Sequence, residues 1–133
     1  MIDDGRALFL QIAESIEDSI VDGSLSEEDR APSTNELAAF HRINPATAAK
    51  GITVLVDKGV LYKRRGIGMF VSAGARESLL GERRTAFAER FVEPLLAEAR
   101  TLGLGPDDLA ELIRERARLA SSASAPRTEG AIR

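Results

Sequence analysis

The chain has no cysteine, no tryptophan, one histidine, one tyrosine and five phenylalanines in 133 residues. Without cysteine there can be no disulfide and no thiolate metal site, which fits a reducing compartment. His41 has no second histidine or cysteine to join it, so it is read as an ordinary turn residue and no metal is expected. Aromatics make up 5% of the residues and hydrophobics 44%, which predicts an aliphatic core. No stretch approaches the roughly 20 apolar residues that span a bilayer. The N-terminus, MIDDGRALF, is acidic and lacks an apolar signal region. These absences predict a cytoplasmic protein with no membrane partner. Chemistry is absent too. There is no nucleophile–base pairing, no glycine loop before a helix and no carboxylate cluster beyond charged helix faces. Gly66-Ile67-Gly68 is too short to cradle a nucleotide. Neither catalysis nor a cofactor is expected.

The charge balance is 18 Lys and Arg against 21 Asp and Glu, net −3, with a pI of about 5.3. Its distribution is uneven. Between Arg42 and Arg65 the basic residues are Arg42, Lys50, Lys58, Lys63, Arg64 and Arg65, and the only acid is Asp57. A local basic face on an acidic protein suffices to meet a polyanion.

The centre of the chain is INPATAAKGITVLVDKG, residues 43–59. Asn44 suits an N-cap, and Pro45 then falls where its missing N–H costs nothing. Ala48, Ile52 and Leu55 form a buried stripe, and Gly59 ends the helix. The other face shows Ala46, Thr47, Lys50 and Thr53. Small, hydroxyl-bearing and basic groups can lie close to phosphates and base edges. Before it, Leu8 to Asp22 reads as a helix with Leu8, Ile12, Ile16 and Ile20 inward. After a polar connector, in which Asp29 and Arg30 read as a turn ion pair, Ser33 and Glu36 fit a capping box. The helix they open, Thr34 to Phe40, should bury Leu37, Ala38 and Phe40. His41-Arg42 makes the turn. Two short helices so joined make a helix-turn-helix.

Val60 to Lys63 and Met69 to Ser72 are short strands around Arg64-Arg65-Gly66-Ile67-Gly68, which predicts a β-hairpin with two arginines at its tip. Gly66 would admit a sugar-phosphate strand closely. The expected fold is therefore mainly α with a small β-hairpin: a winged helix-turn-helix over 1–73, then a short all-α region over 74–119. Residues 120–133, rich in Ser, Ala and Pro, are expected to be a disordered tail. In the helical run from Arg76 to Leu102, Pro94 should kink or split the helix. Leu80, Phe87, Phe91, Leu95 and Leu102 form a broken apolar stripe. Roughly 45 residues of helix cannot close a core alone, so Leu80, Phe87, Phe91 and Leu95 are assigned to pairing with a second copy.

LFLQIAESIEDSI, APSTNELA and INPATAAKGITVLVDKGVLYKRRGIGMFV together resemble the N-terminal domain of GntR-type bacterial transcription regulators. FVEPLLAEARTLG resembles the YtrA subfamily, whose appendage is a few helices rather than an effector-sized domain. The resemblance spans about residues 6 to 115. It implies a homodimeric repressor on an inverted-repeat operator, with a transporter operon as a frequent target. Lys50 matches a basic position of the recognition helix, and Arg64, Arg65, Gly66 and Gly68 match the wing. The chain departs from the family at Asn35 and Pro45, where arginine is usual, although Asn44-Pro45 resembles the YtrA form. Double-stranded DNA is thus the expected partner. Ser33, Asn35, Asn44, Ala46, Thr47, Lys50, Arg64, Arg65 and Gly66 are its candidate contacts. Asn35 and Thr47 have an alternative reading as local caps, strongest for Thr47 in the first turn of its helix. A small-molecule effector is possible in this setting, and no residue identifies one. The competing reading is a winged-helix protein-interaction module that does not bind DNA specifically.

Overall fold

The computed structural model describes residues 7–124. The helices are α1 (Leu8–Val21), α2 (Thr34–His41) and α3 (Pro45–Asp57), followed by strands β1 (Leu61–Arg64) and β2 (Gly68–Val71). Then come α4 (Ala75–Phe87), a π-helical turn (Ala88–Val92), α5 (Glu93–Thr101) and α6 (Pro106–Ser124). Two compact units divide between Arg84 and Thr85.

In the first unit, the aliphatic periodicity does what it should. Ile12, Ile16 and Ile20 of α1 meet Ala48, Ile52 and Leu55 of α3, with Leu37 and Ala38 of α2 beside them. Val60, Leu61 and Val71 close the core from the hairpin. Leu8, placed on the buried stripe by its spacing, is 38% exposed at the helix end. Composition changes at Gly74, but the core does not end there: Ala75 and Leu79 of α4 are buried in the same cluster.

Phe40 corrects the sequence reading. Expected in the core, it is 81% exposed. Leu37 and Ala38 point inward, and at about 3.6 residues per turn Phe40 swings to the flank of a helix too short to bury a wider stripe. Its ring packs edge-on against His41 instead, 4.9 Å between centroids.

The local caps explain the helix-turn-helix. The Ser33 hydroxyl accepts from the Glu36 N–H at 3.1 Å, and the Glu36 carboxylate accepts from the Ser33 N–H at 2.8 Å. That backbone donation holds the Glu36 carboxyl below its ordinary value. Ser33→Ala should remove the hydroxyl half of the box, leave the backbone donation to Glu36, and lower stability by about 1 kcal/mol in a urea titration. The turn lacks glycine, and Arg42 itself takes the left-handed conformation, φ 57°. The Ile43 N–H then donates to the Ala38 carbonyl at 3.0 Å, and Ile43 packs on the core.

The hairpin pairs Leu61 with Val71, Tyr62 with Phe70, Lys63 with Met69 and Arg64 with Gly68. Both strands sit one residue nearer the turn than the sequence suggests. Arg64 is therefore a strand residue, and of the two arginines only Arg65 is in the turn. Residues 28–31 run along the outside of β2. The Ala31 N–H donates to the Met69 carbonyl at 2.8 Å, the Val71 N–H to the Asp29 carbonyl at 3.0 Å, and Arg30 bridges Phe70.

In the second unit, Pro94 does not split the helical run, which continues from Ala75 to Thr101 through the π turn. It cannot donate to a carbonyl one turn back, and the helix widens into the π turn just before it. Gly103, φ 77°, closes α5, with the Leu104 N–H donating to the Ala99 carbonyl at 2.8 Å. Ala99 and Leu109 are buried. Phe87, Phe91 and Leu95 are 58%, 51% and 42% exposed. The last helix continues to Ser124, past the end expected at Ala120. Ala120-Ser121-Ser122-Ala123 contains no helix breaker, and the first stop in the sequence is Pro126. The remainder of the expected tail, residues 125–133, lies outside the described residues.

Candidate nucleic-acid interface

The exposed face of α3 carries Ala46, Lys50 and Thr53. It starts at Asn44, whose side-chain oxygen accepts from the Ala46 N–H at 2.7 Å. The capping at the two helix starts is thus done by Ser33 and Asn44, leaving the caps considered for Asn35 and Thr47 already filled. Asn35 is exposed and Thr47 half-buried. The Lys50 ammonium sits 4.2 Å from the centroid of the Phe9 ring, so α1 seats this cation on the edge of the α3 face. The Thr53 hydroxyl donates back to the Ala49 carbonyl at 3.0 Å, which leaves its methyl as the outward group.

Between α3 and the hairpin runs an open groove of about 650 Å³. The start of α2 contributes Ser33 and Asn35, α3 contributes Ala49 and Thr53, and the hairpin contributes Lys63, Arg64 and Gly66. Arg30 completes it from the segment beside β2. Its lining contains three cations and no acid. Gly66 takes φ 77°, and Gly68 φ 145°, backbone states that a side chain would oppose. Arg64 is further fixed by Phe70, its guanidinium carbon 4.8 Å from the ring centroid.

Of the expected contacts, then, Ser33, Asn35, Arg64 and Gly66 border one groove. Asn44, Ala46, Thr47 and Lys50 lie outside its lining, on the first turns of α3, and Arg65 lies beyond it in the hairpin turn. Lys58 leaves the basic footprint altogether. Its ammonium is held by Glu17 of α1 at 2.6 Å and Glu82 of α4 at 3.2 Å. Partial burial pushes its pKa down, but the two hydrogen bonds and the carboxylate charges outweigh this and the net shift is upward. Lys58 is a structural cation joining three helices.

Arg30 is the residue that sequence reasoning missed. Read as an ion-pair partner for Asp29, it belongs instead to the groove, while the Asp29 carboxylate accepts from the Ser26 N–H at 2.9 Å. A single strand bridge has no periodicity, so nothing in the residue pattern announced it.

Among the described residues, no cluster of His, Cys, Asp or Glu could hold a metal ion, and no helix is long and apolar enough to cross a membrane. A groove with three cations and no acid, lined also by apolar groups such as Val56, Ile67 and Met69, can hold an extended anionic chain.

Comparison with known proteins identifies the family and the fold. Residues 8–71 match the family described as bacterial regulatory proteins, gntR family. The HTH-type transcriptional repressor YtrA of Bacillus subtilis is 28% identical over 108 residues, covering 81% of this chain and 82% of that protein. The HTH-type regulator YhcF of the same organism is 27% identical over 109 residues, covering 82% and 88%. A crystal structure of a GntR-family transcriptional regulator from Bacteroides thetaiotaomicron superposes with a TM-score of 0.69 at 32% identity, over 86% of this chain and 99% of that one.

Proposed function

This chain belongs to the GntR family of bacterial regulatory proteins, a DNA-binding transcriptional regulator and not an enzyme, and on that premise we propose that it is a homodimeric repressor acting on an inverted-repeat operator. α3 enters the major groove, which is about 12 Å wide and admits a helix. Asn44, Ala46, Thr47 and Lys50 then face base edges. The phosphate strand that separates the major from the minor groove lies in the channel between α3 and the hairpin. Ser33, Asn35, Arg64 and Gly66 line that channel, and Arg65 extends from the turn toward the adjacent backbone or minor groove.

The observation that carries this reading is the groove itself. Its three cations meet no acid in the lining, although the whole chain is net negative. A protein-interaction module has no need of such segregation.

Residues up to Ala73 form the DNA-reading part, with the opening turns of α4 packed on it, and the later helices pair two copies. Leu80, Phe87, Phe91 and Leu95 are the apolar groups offered for pairing. Two-fold symmetry then sets half-sites about one duplex turn, roughly 34 Å, apart. YtrA is named a repressor, which favours occlusion of a promoter over activation. The subfamily likeness points to a transporter operon as target.

A gel shift on the gene's own upstream region, repeated across a salt series, tests the proposal. We expect a specific complex that weakens steeply with salt. Changing Lys50 and Arg65 together to alanine should weaken it by roughly tenfold to a hundredfold, at about 1 kcal/mol or more per contact. Retained affinity in that double variant would contradict the contact assignment.

A further inference from the structure

We infer that Arg30 is a phosphate-clamping residue of the DNA interface, held in place by the slot that Gly68 leaves beside the hairpin. The inference rests on the DNA-binding reading above and adds to it a residue outside both the recognition helix and the wing.

The backbone on either side of Arg30 is tied to β2. The Ala31 N–H reaches the Met69 carbonyl at 2.8 Å, and the Asp29 carbonyl accepts from the Val71 N–H at 3.0 Å. Arg30 itself bridges Phe70, so it occupies a one-residue third strand. Residues directly opposite in such a ladder point to one face, and so do residues two apart. Gly68 therefore shares the face of Phe70 and Arg30. A Cβ on Gly68 would stand 3.0 Å from Arg30 Nε and 3.7 Å from its Cζ. The guanidinium thus lies across the space that any other residue at 68 would fill. Its side chain is exposed, and Arg30 borders the groove with Lys63 and Arg64; the Glu36 carboxylate outside that lining, already held by the Ser33 N–H, lies close enough to feel its charge. A guanidinium fixed at its stem loses less freedom on meeting a phosphate than a free one, and its planar fork can bind two phosphate oxygens.

The test uses the whole chain and a labelled random-sequence duplex of roughly 30 bp, followed by anisotropy between about 50 and 200 mM salt. Wild type, Arg30→Ala, Arg30→Lys and Lys50→Ala are compared. Arg30→Ala should reduce the slope of log K against log salt by about 0.9, one phosphate contact, and weaken low-salt binding roughly tenfold. Arg30→Lys keeps the stem and the charge and should restore the slope. Because the bridge is made by backbone, Arg30→Ala should melt at the wild-type temperature, and a merely structural role would not move the salt slope. An unchanged slope in Arg30→Ala, with Lys50→Ala weakened, would overturn the Arg30 assignment and leave the DNA reading intact. An Arg30→Lys slope as low as that of Arg30→Ala would overturn the assignment as well. Salt-insensitive binding by wild type would overturn the reading on which the assignment depends.

Discussion

Gly51→Val should lower the melting temperature by roughly 15 °C. Glycine in a helix interior costs about 0.5–1 kcal/mol relative to alanine, so its presence in the middle of α3 needs a reason. The reason is α1. A Cβ on Gly51 would stand 2.9 Å from the Phe9 carbonyl oxygen and 3.2 Å from Cβ and Cγ2 of Ile12. The first of these is backbone, and Ile12 is fully buried, so neither can step aside cheaply. The two helices would have to part, and Ile12, Ile16 and Ile20 would lose contact with Ala48, Ile52 and Leu55. We expect a cost on the order of 3 kcal/mol for valine, with Gly51→Ala intermediate because its better helix propensity offsets part of the clash. DNA affinity should fall too, since a displaced α1 takes the Phe9 seat from under Lys50. A valine variant melting within about 3 °C of wild type, under 1 kcal/mol for a unit of this size, would show that the close approach of α1 and α3 is not tight.

Replacing Phe87 and Phe91 together by glutamate should leave the protein a folded monomer with operator affinity reduced by about 10² to 10⁴-fold. The two rings lie 5.4 Å apart, tilted, and both are more than half exposed. Leu95, one further turn along, is 42% exposed, and Leu102 66%. Single exposed apolar residues are ordinary, but a run of aromatic and leucine side chains along one helical stretch marks an interaction surface. In a two-fold dimer the same patch meets itself, so each introduced carboxylate confronts its own copy. Sedimentation velocity should give wild type at twice its 14.3 kDa and the variant at 14.3 kDa, with unchanged far-ultraviolet circular dichroism. The affinity loss follows from multivalency. Two linked half-site contacts become one, without any change at the DNA-reading surface. A dimeric variant, or a monomeric wild type, would remove the pairing role of these residues.

How far the sequence could be read depended on the range of the interaction. Helices α1 and α3 were legible because burial at every third or fourth residue writes itself into composition. The Ser33–Glu36 box and the Asn44-Pro45 start were legible because capping is local. Pro94 marks a local disturbance for the same reason, but the π turn that absorbs it without splitting the helix was not legible, since backbone register there follows from where the lost hydrogen bond is absorbed. Phe40 is apolar without being buried, because its short helix has room in the core for only Leu37 and Ala38. The basic stretch was counted as one footprint, whereas the acids that claim Lys58 are 41 and 24 residues away in sequence. Arg30 was hidden by the opposite error: its nearest charge in sequence, Asp29, is not its neighbour in the fold. Gly51 carries no signal in the local pattern, and only the position of the Phe9 carbonyl shows why a side chain does not fit there.

The central claim is that the α3 face and the hairpin together form one surface that grips a duplex. Hydrogen–deuterium exchange with and without a duplex bearing the upstream sequence tests it most directly. The account predicts slowed exchange over residues 44–50 and 64–68, with little change on the outer face of α2 around Phe40 and His41. Slowed exchange confined to that α2 face, with α3 and the hairpin unaffected, would contradict it.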